Sequence, residues 1–265
     1  MRIVHRISER VDSRIRREFA RAGVEVGEGF VTFEICESDA RWPQVAALLE
    51  RLQSLTLVRT EFTERERRDA KWLAMSSTWL HGYPMPDEDN GYMEMTYDPT
   101  RCCGKCGLGL VQRAPFRMAR EPRWGRRHVL QLNWVFDQYF VKPEVWQAVF
   151  RKYGIECMPV IHNRTGQELK SVVQLQIDVV APERLVVKEE RCNTCPACGV
   201  PKYEPHTRGK FPGFASEVVG PHALKTQEIW GSGHRAFGEV LVSQELYGAI
   251  AAARLRGVRF EPLAR

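Results

Sequence analysis

No stretch of this 265-residue chain approaches the roughly 18 apolar residues that a membrane-spanning helix needs. The opening Met1-Arg-Ile-Val-His-Arg-Ile-Ser-Glu-Arg10 lacks the apolar core and small-residue cleavage site of a secretory signal, and it carries acid that transit peptides avoid. These absences point to a cytoplasmic protein with no membrane partner. Also missing are a His-Glu-x-x-His pair, a phosphate-binding loop, a Gly-x-Ser-x-Gly elbow and a dinucleotide fingerprint. Without a catalytic set, the expectation is a non-enzymatic protein. Acid is scarce in one place: from Arg101 to Arg127 eight bases face the single acid Glu121, whereas residues 1–75 are nearly balanced, with fourteen bases and thirteen acids.

Hydrophobic residues make up 43% of the chain and aromatics 10%, with seven Trp, so a substantial core can form without a metal. The expected class is α+β, with mixed sheets and flanking helices. Val11, Ile15 and Phe19 recur at helical spacing, 30–35 reads as a strand, and a helix is expected from Trp42 to Leu52. Thr63-Glu-Arg-Glu66 is a capping-box pattern that opens a helix toward Met75. The loop 81–91, dense in Pro, Gly and acids, marks the expected boundary between an N-terminal α/β segment of 1–90 and a domain of 91–265. Beyond it, 129–136 reads as a strand, Pro143 starts a helix that stops at Gly154, and 171–180 alternates as a strand. A strand at 239–242 precedes a helix capped by Ser243 and ended at Gly257, and 258–260 reads as a last short strand.

Eight cysteines in a reducing compartment favour metal over disulfides, and six of them lie in two clusters. Cys103-Gly-Lys-Cys106-Gly107 and Cys195-Pro-Ala-Cys198-Gly199 share one pattern. A two-residue gap aims both sulfurs at one ion, and the following Gly permits the positive φ that brings backbone N–H groups toward the thiolates. Four soft ligands suit one structural zinc ion, held by Cys103, Cys106, Cys195 and Cys198 in two zinc-knuckle turns. The 88 residues between Cys106 and Cys195 require the fold to bring the two turns together. Cys192-Asn-Thr-Cys195 offers a competing pair, and Cys102 adjoins the first turn, so either is an alternative ligand. Cys36 and Cys157 read as buried, inert thiols.

The basic segment carries Arg113, Arg117, Arg120, Arg123, Arg126 and Arg127 interleaved with Phe116 and Trp124, a composition suited to phosphate contact and base stacking in a nucleic-acid-binding protein. A solvated or acid-paired surface face is the competing reading. Gly231-Ser-Gly233-His234 is a weak anion-cradle pattern, read first as a turn between strands. His206, close after the second cysteine cluster, is a candidate to support the metal ligands.

From Cys103 onward the order of features resembles the double-CXXCG-motif family of myxobacteria, grouped with immunity proteins against swarm-inhibition toxins. The marks are the two Cys-x-x-Cys-Gly turns, Leu130-Gln-Leu-Asn-Trp134 leading to Gly154, Val173-Gln-Leu-Gln-Ile177, and Val242-Ser-Gln-Glu-Leu246 leading to Gly257-Val-Arg-Phe-Glu-Pro262. The resemblance covers about the last three fifths of the chain. It implies a bound zinc and a protein partner, a toxin, and leaves residues 1–90 outside its reach.

Overall fold

The Asp12 carboxylate accepts the N–H groups of Arg14 and Ile15 at 2.8 and 2.7 Å, turning an extended segment into a helix start. In the computed structural model, which describes residues 1–187 and 190–264, this cap joins β1 (Arg2–Val11) to α1 (Ser13–Arg21). They are followed by β2 (Gly29–Cys36), α2 (Trp42–Leu52) and β3 (Thr56–Glu61). The three strands form an antiparallel sheet in the order β2-β1-β3. Ile7, Val11 and Ile35 bury one face against Phe19, Val45, Leu48 and Leu49 of the helices. Val11, expected on a helix face, is the last residue of β1.

These elements make one compact unit, residues 1–66 together with 206–210. The short 206–210 segment is tied in by Arg208, whose guanidinium donates to Glu37 at 2.7 Å, and by the Gly209 N–H, which donates to Thr60 Oγ1 at 2.8 Å.

The capping box forms as the sequence indicates: the Glu66 N–H donates to Thr63 Oγ1 at 3.2 Å, and the Thr63 N–H to Glu66 Oε2 at 2.8 Å. The helix it opens, α3 (Glu64–Arg68), ends after five residues, and the stretch expected to continue it is a strand, β4 (Trp72–Ser77). Next come α4 (Tyr92–Thr96), β5 (Tyr97–Asp98), β6 (Val111–Gln112), β7 (Arg117–Met118), β8 (Val129–Leu132), β9 (Val135–Val141) and α5 (Pro143–Ala148). They lead to β10 (Glu156–His162), β11 (Glu168–Gln176), β12 (Cys192–Thr194), β13 (Pro201–Tyr203), β14 (Ala223–Trp230), β15 (Phe237–Ser243), α6 (Gln244–Ala252) and β16 (Val258–Pro262). The span 129–136, expected as one strand, is split by a turn in which Trp134 takes φ +69°.

In this larger unit a five-stranded sheet, β7-β10-β11-β9-β8, accompanies a six-stranded sheet, β12-β13-β14-β15-β4-β16, and a two-stranded pair, β5-β6. The fold is mixed α+β, with several sheets and few helices. Among the described residues no helix is long and apolar enough to cross a membrane. Strands β4 and β15 are buried on both faces. Leu73, Met75, Val240 and Val242 pack with Tyr139, Val141 and Leu175 in one core, while Trp72, Ala74 and Leu241 pack with Leu224 and Trp230 in another. Full burial of such side chains contributes about 1.5–3 kcal/mol each, so this unit has a core apart from any metal.

The boundary expected at 90/91 lies inside the larger unit, and the compact units divide at 66/67. The 81–91 loop is held there by the His81 N–H to the Gln131 carbonyl (2.8 Å) and the Met85 N–H to the Arg117 carbonyl (2.9 Å).

One carboxyl in this unit should leave a pH signature. Glu239 on β15 is pushed up to about 8, chiefly by burial, then by the nearby acids Glu261 and Asp137 against the opposing pull of Arg259. A carboxyl raised in the fold contributes stability that is complete below its ordinary pKa of 4.5 and is lost as pH rises through about 8. Glu239→Gln is therefore expected to gain stability relative to wild type as pH rises from 5 to 8, by up to about 1.4 kcal/mol per pH unit. Urea midpoints measured across that range would count against this if the difference stayed flat or shrank.

Candidate metal centre

Each cysteine pair sits in the turn of a small hairpin. Residues 99–110 connect β5 to β6, which pair antiparallel, and residues 195–200 connect β12 to β13, also antiparallel. The two turns repeat one hydrogen-bond pattern. The Gly107 N–H donates to the Cys103 carbonyl (2.7 Å) and the Cys103 N–H to the Leu108 carbonyl (2.8 Å). In the second turn, the Gly199 N–H donates to the Cys195 carbonyl (2.8 Å) and the Cys195 N–H to the Val200 carbonyl (3.1 Å). Gly107 and Gly199 adopt φ +69° and +70°, the left-handed region where an L side chain is strained.

The fold closes the gap between the turns. Cys103 Sγ lies 4.0 Å from Cys195 Sγ, Cys106 Sγ lies 3.8 Å from Cys198 Sγ, and all four sulfurs fall within 4.8 Å of one another. Such separations are about twice a disulfide bond, and they leave room for one metal ion at the centre. A metal held there would join the two-stranded sheet to the edge of the six-stranded one.

The electrostatics suit a cation. The Leu108 N–H aims at Cys106 and, with Lys202 and the neighbouring thiols, holds that thiol down to about 6 against the cost of burial. The Val200 N–H does the same for Cys198, but burial and the thiols of Cys195, Cys106 and Cys103 outweigh it and push Cys198 up to about 11. With Cys106 held down and Cys198 pushed up, a cation among the sulfurs would supply positive charge and release protons.

Lys202, on β13 just past the second turn, is only 6% exposed, its ammonium donates to the Gly233 carbonyl at 2.8 Å, and it helps to lower the Cys106 thiol. Four thiolates around a divalent ion carry excess negative charge, which this buried ammonium partly offsets. His234 packs against the first turn, where a Cβ on Gly107 would lie 2.5 Å from the His234 Cβ. Neither residue was expected at the metal site from the sequence, because both reach it from positions remote in sequence from the first turn. His206, the expected support, belongs instead to the smaller unit.

The alternative ligands stay outside the cluster. Cys102 is half-buried and Cys192 exposed, and neither belongs to the four-sulfur group. Cys36 and Cys157, expected to be buried, are half-buried.

The basic segment divides by face. Phe116 and Trp124 are 0% and 8% exposed, in a core with Leu130, Phe140 and Val160, so neither ring is free to stack on a base. Arg113 donates to the Glu94 carbonyl at 2.8 Å and Arg127 lies 4.9 Å over the Trp79 ring, while Arg117 is half-buried and Arg120, Arg123 and Arg126 are exposed. Glu121, the one acid of the stretch, accepts the Lys170 N–H at 2.8 Å and so pins the segment to β11.

No family model, curated protein or solved structure matches the chain.

Proposed function

We propose that this is a non-enzymatic, zinc-stabilised protein that acts by binding another protein. The observation that carries the reading is the four-sulfur cluster. Zinc–thiolate bonds of about 2.3 Å set a tetrahedron edge of about 3.8 Å, close to the 3.8 and 4.0 Å found between the facing sulfurs. Thiolates at every corner leave no position for water or substrate, which is the pattern of structural rather than catalytic zinc. The two turns then act as zinc knuckles that staple a unit already possessing its own core.

A surface suited to a protein partner lies on the smaller unit. Arg6, Ser8 and Arg10 project from one face of β1, and the register sets Leu57 beside Arg6 and Phe30 beside Arg10 on that face. Phe30 is 77% and Leu57 71% exposed. Large apolar side chains among charges on an open sheet face are a docking chemistry. The likeness to the double-CXXCG family supports a toxin as the partner, neutralised by the chain as an immunity protein.

The nucleic-acid reading keeps exposed Arg120, Arg123 and Arg126 for phosphates but loses its stacking rings to the core, which favours the protein partner. Co-expression with a toxin encoded beside the gene should give co-purification and growth rescue, and the double variant Phe30→Asp, Leu57→Asp should lose both while keeping its zinc. Absence of binding and rescue by the wild-type chain would overturn the reading.

A further inference from the structure

The turn 231–236 between β14 and β15 holds two buried nitrogens without a hydrogen-bond partner among the described residues, Nε2 of His234 and Nε of Arg235. A buried donor left unpaired is costly, so two on adjacent residues call for an explanation. Both residues line one cavity of about 160 Å³ in the larger unit. Tyr92, Tyr97, Trp134 and Phe237 supply aromatic wall, and the backbone of residues 107–110, running out of the first cysteine turn, supplies another side. Cavities of about 150 Å³ accept a benzene ring.

The charge inside is one-sided where it is unanswered. Arg235 stacks its guanidinium 4.1 Å over the Trp134 ring, and its one side-chain hydrogen bond among the described residues is a long 3.4 Å contact with Asn90 Oδ1. Asp137 also lines the cavity, but its carboxylate is taken by Lys225 Nζ at 2.6 Å. The cavity thus pairs aromatic faces with a cation that has no counter-ion among the described residues. His234, as its Nε2–H tautomer, adds a neutral donor at the same turn.

We infer that this cavity is a binding site for a small planar carboxylate, its ring against the Tyr92, Tyr97 and Trp134 side chains and its anionic group on Arg235 and His234. The Gly-x-Gly turn, a weak anion-cradle pattern by sequence, gains its substance from those two residues. Because residues 107–110 form one wall, a metal held by the cysteine turn would brace that side of the cavity. The site does not depend on the identity of any protein partner.

The probe is benzoate, titrated into the zinc-loaded full-length protein by calorimetry and by amide NMR, with benzyl alcohol as its uncharged counterpart. Saturable one-to-one binding is expected, with shifts concentrated at 107–110 and 231–238. Benzyl alcohol should bind at least about tenfold more weakly, the worth of a charged hydrogen bond. Arg235→Gln with normal zinc content should lose the same factor, whereas Arg126→Gln should lose none. No saturation by about 10 mM benzoate, or shifts confined to other surfaces, overturns the proposal. Equal affinity for benzyl alcohol does so too, and that outcome and the shift map decide the matter even if Arg235→Gln fails to fold.

Discussion

Cys106→Ser and Cys198→Ser are each expected to strip the protein of most of its zinc and to lower the melting temperature of the larger unit, while Cys102→Ser and Cys192→Ser change neither. Both effective positions lie in the cluster whose sulfurs fall within 4.8 Å of one another, and both control positions lie outside it. Residues that merely support a metal ligand cost 10- to 100-fold in affinity when lost, so removing a ligand should cost more than about 100-fold. Metal at about 1,000 times its Kd stabilises a fold by about 4 kcal/mol, and a 100-fold loss of affinity removes about 2.7 kcal/mol of that. For a unit of this size the shift is roughly 5–10 °C. Small zinc peptides depend on metal more heavily, at about 10–16 kcal/mol, because they lack a core such as the one around Leu73, Met75 and Val242. Metal content by atomic absorption and melting by circular dichroism read both effects. If Cys192→Ser lost zinc while Cys198→Ser kept it, the second turn would be using the competing pair.

The four-cysteine cluster was readable in the sequence because everything that marks its members is local. Gly107 and Gly199 each follow the second cysteine of a pair, and each takes the positive φ that the turn needs. Helix α2 was equally plain, since Val45, Leu48 and Leu49 fall on one buried face. Strand β4 was hidden for the opposite reason. Trp72, Leu73, Ala74 and Met75 are all buried, so the strand alternates between two cores and shows no alternation in its letters. With a capping box just before it, the stretch read as helix.

The errors of placement share a cause, which is that sequence gives the composition of a segment but not the surface it faces. Phe116 and Trp124 stand among arginines yet point into the core, the Trp124 indole donating to the Ser171 carbonyl at 2.9 Å. The 81–91 loop has a linker's composition, but its backbone is hydrogen-bonded into the larger unit through Gln131 and Arg117. Lys202 and His234 were illegible as parts of the site, because their contacts with the first cysteine turn span about a hundred residues or more.

That long-range packing makes the two matching glycines inequivalent, and the contrast between Gly107→Ala and Gly199→Ala is the second large expected effect. The positive φ penalises a Cβ at either site, by about 1–2 kcal/mol. Around Gly199 an added Cβ meets nothing within 4 Å, so Gly199→Ala should cost only that. At Gly107 it would lie 2.5 Å from the His234 Cβ and 3.1 Å from its Cα, atoms that cannot swing aside as a flexible tip would. Forcing the two apart adds an overpacking cost of about 1–3 kcal/mol, for a total of about 2–5 kcal/mol, and it pushes on the turn that carries Arg235. Gly107→Ala should therefore lower the urea midpoint clearly more than Gly199→Ala, and should weaken benzoate binding as Gly199→Ala does not. Equal losses from the two variants would mean that turn conformation alone sets the cost, and that His234 is not seated against the first cysteine turn.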